Sequence, residues 1–412
     1  MSVRSPSDNF VVFMQRTVNS IGWSATIPFL GVYLAVNRGV PFAIIGLVYL
    51  VTGTLTLISQ LAGGRLTDSI GPKRVMLISY TFSVASSLVL GYLIGINANT
   101  IIILVAYPIF NFIRGVSQPA VSAVVANQSV EKVRSGMTFM TIGSNLGFAI
   151  GPAIGGVVAD AYGYGIVFLL SACSAVVVIL MTITWVRGGL LLGALRSGVG
   201  RVKYLLRWKE DKTIILMLLL VFCAFLTLGY EVVPFSLYTG SVLNFSDAQI
   251  GYIFTVSGLV IVVLQVPISK LYGRMRLAAL PLVVGSLLAA ASYSLAAVST
   301  TFTEMMLMMI IVTVGEIFLT VPSQLLITAF SGAENRGTFQ GYYNAVSNGG
   351  RSIASFIGPL TFSIFASEPR LGWVIIAVFS AILALGFLLI SPTMQREYEA
   401  TSHATLVKPV EI

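Results

Sequence analysis

Twelve apolar runs follow one another along the chain, near 10–36, 42–64, 75–96, 100–126, 137–159, 164–186, 213–239, 248–269, 277–298, 304–329, 338–366 and 371–391. Each is long enough to cross a hydrocarbon core of about 30 Å, which takes roughly 20 helical residues. Backbone N–H and C=O groups find no water there, so only α-helices or a closed barrel can span it. The runs lack the period-2 alternation of barrel strands. The expected fold class is therefore an all-α integral membrane protein with twelve transmembrane helices. Of the 412 residues, 56% are hydrophobic and 9% charged, against about 25% charged in soluble domains. A water-soluble globule is excluded.

Orientation follows from the basic residues, which concentrate on the cytoplasmic side of membrane proteins. With both termini placed in the cytoplasm, only Arg38 and Arg370 fall outside, and Arg16, Arg114 and Arg351 fall within spans; all the remaining Lys and Arg of the 24 lie inside. The net charge of +9 thus reflects topology, and no nucleic-acid partner is expected. The first run is too long for a signal-peptide core and lacks a small-residue cleavage site, so it is expected to stay. Cys173 and Cys223 both lie in spans, and neither a disulfide framework nor a metal site is readable.

The second run of each half repeats. Gly46, Gly53 and Gln60 match Gly251, Gly258 and Gln265 at one constant offset, Ile27-Pro28-Phe29 matches Val233-Pro234-Phe235, and Gly151-Pro152 matches Gly358-Pro359. Glycines on one helix stripe let neighbouring backbones approach closely in lipid. The expected organisation is an N-terminal six-helix bundle over 1–187, a linker over 188–212, a second six-helix bundle over 213–392 and a cytoplasmic tail over 393–412 carrying the sole histidine, His403. The linker mixes leucines and Trp208 with basic residues, a pattern expected to form an amphipathic helix on the anionic inner leaflet.

Between the second and third runs, Gly64-Arg65-Leu66-Thr67-Asp68-Ser69-Ile70-Gly71-Pro72-Lys73-Arg74 forms a short charged turn in a chain with few charges. It resembles the signature of the major facilitator superfamily, Gly-x-Leu-x-Asp-x-x-Gly-x-Lys/Arg-Lys/Arg, with every position filled. The resemblance implies two pseudo-symmetric six-helix bundles around a central cavity, rocking about a midplane site. It assigns Asp68, with Arg65 and Arg74, to a cytoplasmic gate made in one conformation and broken in another. The second-half copy, Lys270-Leu-Tyr-Gly273-Arg-Met-Arg276, lacks the acid.

Two further segments carry the resemblance. Gly147, Gly151, Pro152, Gly155 and Gly156 in the fifth run resemble the motif enriched in the exchangers of the superfamily, including drug/proton antiporters, although Thr138 stands where an upstream glycine is usual. In the fourth run Tyr107, Asn111, Arg114 and Gln118 share one polar stripe expected to face a wet cavity. Arg114 occupies the position of an arginine linked in related antiporters to proton transfer, while Pro119 replaces the glycine that usually follows the glutamine.

Charges within a membrane are costly and by default functional. Arg16 lies roughly 9 Å deep, counting 1.5 Å per residue, and shares a face with Asn19, Trp23 and Thr26. Glu231 and Glu316 each sit on a polar stripe of the second half, and Arg351 on a stripe with Gln340, Asn344, Asn348 and Ser355 can pair with either acid. Either one acid exchanges protons, or a permanent Glu–Arg bridge only fixes the bundle. Trp23, Tyr107, Tyr230, Phe235, Tyr238 and the methionines 305, 306, 308 and 309 either line an apolar pocket or simply pack.

The expected function is secondary active transport by alternating access, most simply proton-coupled export of amphipathic small molecules or drugs. Transport of organic anions or phosphorylated metabolites is an alternative suggested by the excess of intramembrane arginines, and a non-transporting membrane sensor is another. An enzyme is not expected, since no nucleophile elbow, metal-ligand cluster or phosphate loop is present. No cofactor is expected; a proton gradient would supply the energy. The partners expected are a small-molecule substrate, protons and the lipid bilayer, with the chain working as a monomer, multi-pass in the cell (plasma/inner) membrane.

Overall fold

The computed structural model describes residues 8–126, 130–186, 212–272, 279–330 and 332–406, and all their regular elements are helical. In chain order they are α1 (Asp8–Ser24), α2 (Ile27–Val32) running into a π-turn (Tyr33–Asn37), α3 (Phe42–Ile70), α4 (Pro72–Gly95), α5 (Thr100–Gly115), α6 (Ser117–Ala126), α7 (Val130–Tyr162), α8 (Tyr164–Trp185) and α9 (Lys212–Leu228). After a 3₁₀ turn (Gly229–Glu231) come α10 (Val233–Ser241), α11 (Asp247–Tyr272), α12 (Leu280–Val298), α13 (Phe302–Phe330), α14 (Gly332–Ile364) and α15 (Arg370–Leu406).

Ten helical stretches among the described residues are long and apolar enough to cross a membrane. The two other expected spans are helical as well. The run at 10–36 is broken after Ser24, and the run at 338–366 lies in α14, whose polar face of Gln340, Asn344, Asn348 and Arg351 dilutes its hydropathy. The outer surface is apolar, with Leu61 71% and Leu389 80% exposed. Side chains of this kind in such numbers suit contact with lipid and not with water.

Prolines explain where the long runs break. Pro28 has no N–H for the Ser24 carbonyl and Pro234 none for Tyr230, so α1 gives way to α2 and α9 gives way to α10. The repeated Pro-Phe pairs seen in the sequence thus make the same local break twice. Pro119 acts likewise on Gly115, splitting the run at 100–126 into α5 and α6.

The charged turn at 64–74 is shorter than expected. Helix α3 continues to Ile70 and α4 starts at Pro72, leaving Gly71 alone between them at φ 85° and ψ 153°. Only glycine adopts that backbone readily, and proline at the first helical position loses no hydrogen bond. Gly64, Arg65 and Asp68 therefore ride on the last turns of a helix.

The chain forms two compact units, one of Met1–Val199 with Phe235–Val262, the other of Gly200–Pro234 with Val263–Ile412. Chain order puts 235–262 in the second bundle, whereas packing joins it to the first unit. The reason is small-residue contact. A Cβ on Gly258 would stand 2.5 Å from the Ala149 Cα, and one on Gly251 would meet the Pro152 backbone. The same helix, α7, lies against α1: Cβ atoms on Gly147 and Gly151 would stand 2.6 Å from the Thr17 and Ile21 carbonyl oxygens. A stripe with one residue of this kind per turn lets two backbones touch. In the other unit, a core of Met217, Val221, Phe225, Leu319, Phe339 and Phe387 joins α9, α13, α14 and α15.

The linker at 188–211 lies outside the described residues, as do Gly273–Arg276 of the second charged turn. The expected tail begins as a helix, since α15 runs through Pro392 to Leu406.

Candidate functional site

In the unit built on α9, α13 and α14, the proline-induced break puts Glu231 on a 3₁₀ turn inside the bundle. Its side chain is buried, and Oε1 has no hydrogen-bond partner among the described residues. Glu316 on α13 and Arg351 on α14 meet directly, with Arg351 Nη2 donating to Glu316 Oε1 at 2.6 Å. The Arg351 guanidinium also sits 5.2 Å from the Phe225 ring centroid, a cation–π contact. Glu316 and Arg351 are the charged neighbours of Glu231. The cation is thus taken by Glu316, and the more deeply buried acid stays unpaired beside the bridge.

Tyr230, next to Glu231, packs against Tyr293 and Trp373 with ring centroids 6.2 and 6.1 Å away. This aromatic wall keeps the carboxyl in an apolar setting, where a neutral acid costs far less to bury than an anion. On α14 the rest of the polar stripe continues as a chain of amides. Gln324 Nε2 donates to Gln340 Oε1 at 3.2 Å and Gln340 Nε2 to Asn344 Oδ1 at 3.1 Å, with Asn344 and Asn348 exposed.

The other unit holds two of the intramembrane arginines. Arg16 on α1 donates through Nε to Ser144 Oγ and through Nη1 to Gln118 Oε1, both at 2.6 Å. Arg114 on α5 donates through Nη1 to Ser171 Oγ at 3.2 Å and through Nη2 to the carbonyl and Oδ1 of Asn19 at 3.3 and 3.2 Å. Every one of these acceptors is neutral. Among the described residues neither arginine has an ion pair, the bridge between Glu316 and Arg351 being the one found.

The polar stripe of the fourth run divides at this point. Tyr107 and Asn111 are buried, Asn111 donating to the Tyr107 carbonyl of its own helix, whereas Arg114 and Gln118 remain half-buried. Tyr238, Tyr230, Phe235, Met305, Met308 and Met309 are buried and pack, while Trp23 is 40% exposed and stands 6.4 Å from Phe148, ring to ring.

At the charged turn Asp68 is exposed and has no hydrogen bond or ion pair among the described residues; Arg65 and Arg74 are exposed too. Lys73 Nζ donates to the Ile183 carbonyl at the end of α8, 3.1 Å away, where a cation suits the helix C-terminus. Gly155 and Gly156 complete the tight face of α7, Gly155 against Ala25 and Gly156 against Asp247.

Three participants carry no signal that residue order alone reveals. Ser144 and Ser171 look like ordinary small residues of apolar helices, and only their places opposite Arg16 and Arg114 distinguish them. Asp160 at the end of α7 accepts from the backbone N–H groups of Asp247 and Ala248. An acid following a glycine-rich helix is too common to single out.

The model of the Major Facilitator Superfamily matches residues 12–355, with a second match over 217–409. Among curated proteins the chain is similar to the "Uncharacterized MFS-type transporter YttB" of Bacillus subtilis, 23% identical over 83% of this chain and 85% of that one. It is also similar to "Multidrug resistance protein 2" of Bacillus subtilis, 29% identical over 57% of this chain and 60% of the relative. "Quinolone resistance protein NorA" of Staphylococcus aureus is 26% identical over 61% and 63%. Among solved structures, a peptide transporter POT mutant in complex with alafosfalin superposes with a TM-score of 0.79 at 14% identity, covering 96% of both chains. A mutant of the nucleoside transporter NupG gives 0.76 at 14% identity over 93% and 100%; both show likeness of fold. The chain is a multi-pass membrane transporter and not an enzyme, and it belongs to the Major Facilitator Superfamily.

Proposed function

We propose that this chain exports amphipathic small molecules in exchange for protons, by alternating access of two six-helix bundles. Twelve spans with both termini in the cytoplasm, a plasma-membrane location and action as a monomer belong to the same reading. The observation that carries it is Glu231: a buried carboxyl whose Oε1 has no hydrogen-bond partner among the described residues, with the bridged Glu316 and Arg351 as charged neighbours. Such a group is cheap to bury as the acid and costly as the anion. It therefore gains and loses a proton according to whether water, or the neighbouring cation, reaches it. A proton taken up from outside neutralises Glu231, and release to the cytoplasm re-forms the anion, which draws on Arg351 and loosens its hold on Glu316. In this scheme the swap of partners is the event that substrate movement must be coupled to.

Relatives named for multidrug and quinolone resistance support export of drug-like molecules. The glycine face of α7 supports it too, through its resemblance to the exchanger motif. Asp68, exposed and uncommitted among the described residues, suits a residue of the gate motif. Exposed Asn344 and Asn348 suit a water-filled chamber, because amides of that kind do not face hydrocarbon.

The test is ethidium flux in proteoliposomes under an imposed pH gradient. The unaltered protein concentrates the dye only with the gradient present. Glu231→Gln holds a fixed neutral side chain and abolishes gradient-driven accumulation, leaving facilitated exchange. Undiminished gradient-driven accumulation by Glu231→Gln removes the proposed proton site.

A further inference from the structure

The arginines of the first unit are chemically incomplete. Arg16 and Arg114 are cross-linked, because Arg16 reaches Gln118, one turn along from Arg114, and Arg114 reaches Asn19, one turn along from Arg16. Two neighbouring cations on different helices are therefore held on neutral acceptors only. Arg16 uses two of its N–H groups on protein acceptors, out of the five a guanidinium carries. Both arginines are partly buried. Charges within a bundle surrounded by hydrocarbon need a counter-charge, and no carboxylate pairs with either arginine among the described residues.

The surface beside them is aromatic. Trp23 lies one turn beyond Asn19 on α1, and Phe148 lies one turn beyond Ser144 on α7, with the two rings 6.4 Å apart. Trp23 is 40% exposed.

We propose that Arg16 and Arg114 form an anion subsite that takes the carboxylate of an amphipathic aromatic substrate, whose ring system lies on Trp23 and Phe148. This deepens the export reading and rests on it for the word substrate. Guanidinium groups match carboxylates in bidentate geometry, and an anion placed here relieves the repulsion between the two arginines. The substrate then supplies the counter-charge that no described residue provides, which makes binding selective against neutral isosteres.

The experiment is equilibrium binding to the purified full-length protein with three probes of one shape: 2-naphthoate, neutral 2-naphthamide and cationic 2-naphthylmethylammonium. The unaltered protein binds naphthoate about tenfold more tightly than naphthamide, equivalent to about 1.4 kcal/mol, and binds the cation least. Arg16→Gln and Arg114→Gln each bring naphthoate and naphthamide to within about twofold, Arg114→Lys keeps part of the preference, and Trp23→Ala weakens both probes alike. Equal binding of naphthoate and naphthamide by the unaltered protein overturns the subsite, and this comparison needs no variant to fold. Full preference retained in folded Arg16→Gln and Arg114→Gln overturns it as well. Gradient-driven ethidium flux is read separately: flux without naphthoate preference rejects the subsite and keeps proton-coupled export, whereas preference without flux keeps the subsite and rejects the coupling.

Discussion

Asp160 caps the start of another helix: its Oδ1 accepts the Asp247 N–H at 3.0 Å and its Oδ2 the Ala248 N–H at 2.9 Å. The first N–H groups of α11 have no partner within their own helix, and a carboxylate placed there satisfies two of them and faces the positive end of the helix dipole. The contact joins the end of α7 to the segment 235–262, which packs in the same unit. Removing the side chain in Asp160→Ala leaves both donors without their acceptor and lowers stability by about 1–2 kcal/mol. Thermal unfolding of the detergent-solubilised protein checks this, with Asp160→Asn expected in between because it keeps an acceptor but loses the charge.

The two glycines of the charged turn differ in what they do. Gly71 adopts φ 85° and ψ 153°, a region that side chains disfavour, whereas a Cβ on Gly64 would meet nothing within 4 Å. Gly71→Ala therefore destabilises by about 1–3 kcal/mol, and Gly64→Ala changes stability by no more than about 0.5 kcal/mol. Comparable losses in both, measured as unfolding midpoints, would contradict the backbone argument.

The α1–α7 contact leaves no room for a methyl group. A Cβ on Gly147 would lie 2.6 Å from the Thr17 carbonyl oxygen and 2.9 Å from the Ile21 amide nitrogen. Neither backbone atom can rotate away. Gly147→Ala pushes the helices apart, at a cost of about 1–3 kcal/mol. The same push displaces Ser144 from Arg16, one turn away on the same helix. Unfolding midpoints and naphthoate affinity should fall together in this variant.

Glu316 and Arg351 should be energetically coupled. Removing one partner strands the other, while removing both restores neutrality. The double variant Glu316→Gln with Arg351→Gln is expected to be more stable than the sum of the two single losses by about 1–2 kcal/mol, read from a double-mutant cycle. Additive losses would mean that the 2.6 Å contact contributes little to stability. Glu231→Gln, which replaces an unpaired buried acid by a neutral isostere, is expected to keep or raise the unfolding midpoint.

Much of the fold is legible from residue order, and the site only in part. The expected spans run straight through prolines 28, 119 and 234, where the structure breaks, because hydropathy counts apolar residues and ignores missing donors; prolines 108, 152, 267, 322, 359 and 392 lie inside continuous helices, so proline alone does not mark a break. Glu231, Glu316, Arg114, Arg16 and Arg351 stand out as intramembrane charges. Which of them meet is open in the sequence: Arg351 suits either acid by stripe alone, and the structure gives it to Glu316. Tyr107 and Asn111 share the stripe of Arg114 but are packed away, since one helix face can be covered at one height and open at another.

The membrane class, most of the helical segments and the charged motif that ends in a turn at Gly71 were legible in the sequence alone. Each depends on residues within a turn or a span of one another, where hydropathy and backbone chemistry act locally. Only the tertiary structure decided that α7 lies with its glycines on α1, that Asp160 caps α11, that Arg16 and Arg114 rest on neutral acceptors and that Glu231 Oε1 has no hydrogen-bond partner among the described residues. Those relationships join segments far apart in the chain, Arg16 and Ser144 being 128 residues distant. They follow from which helix faces close on each other, a choice set by the fit of many small side chains together and carried by no single one.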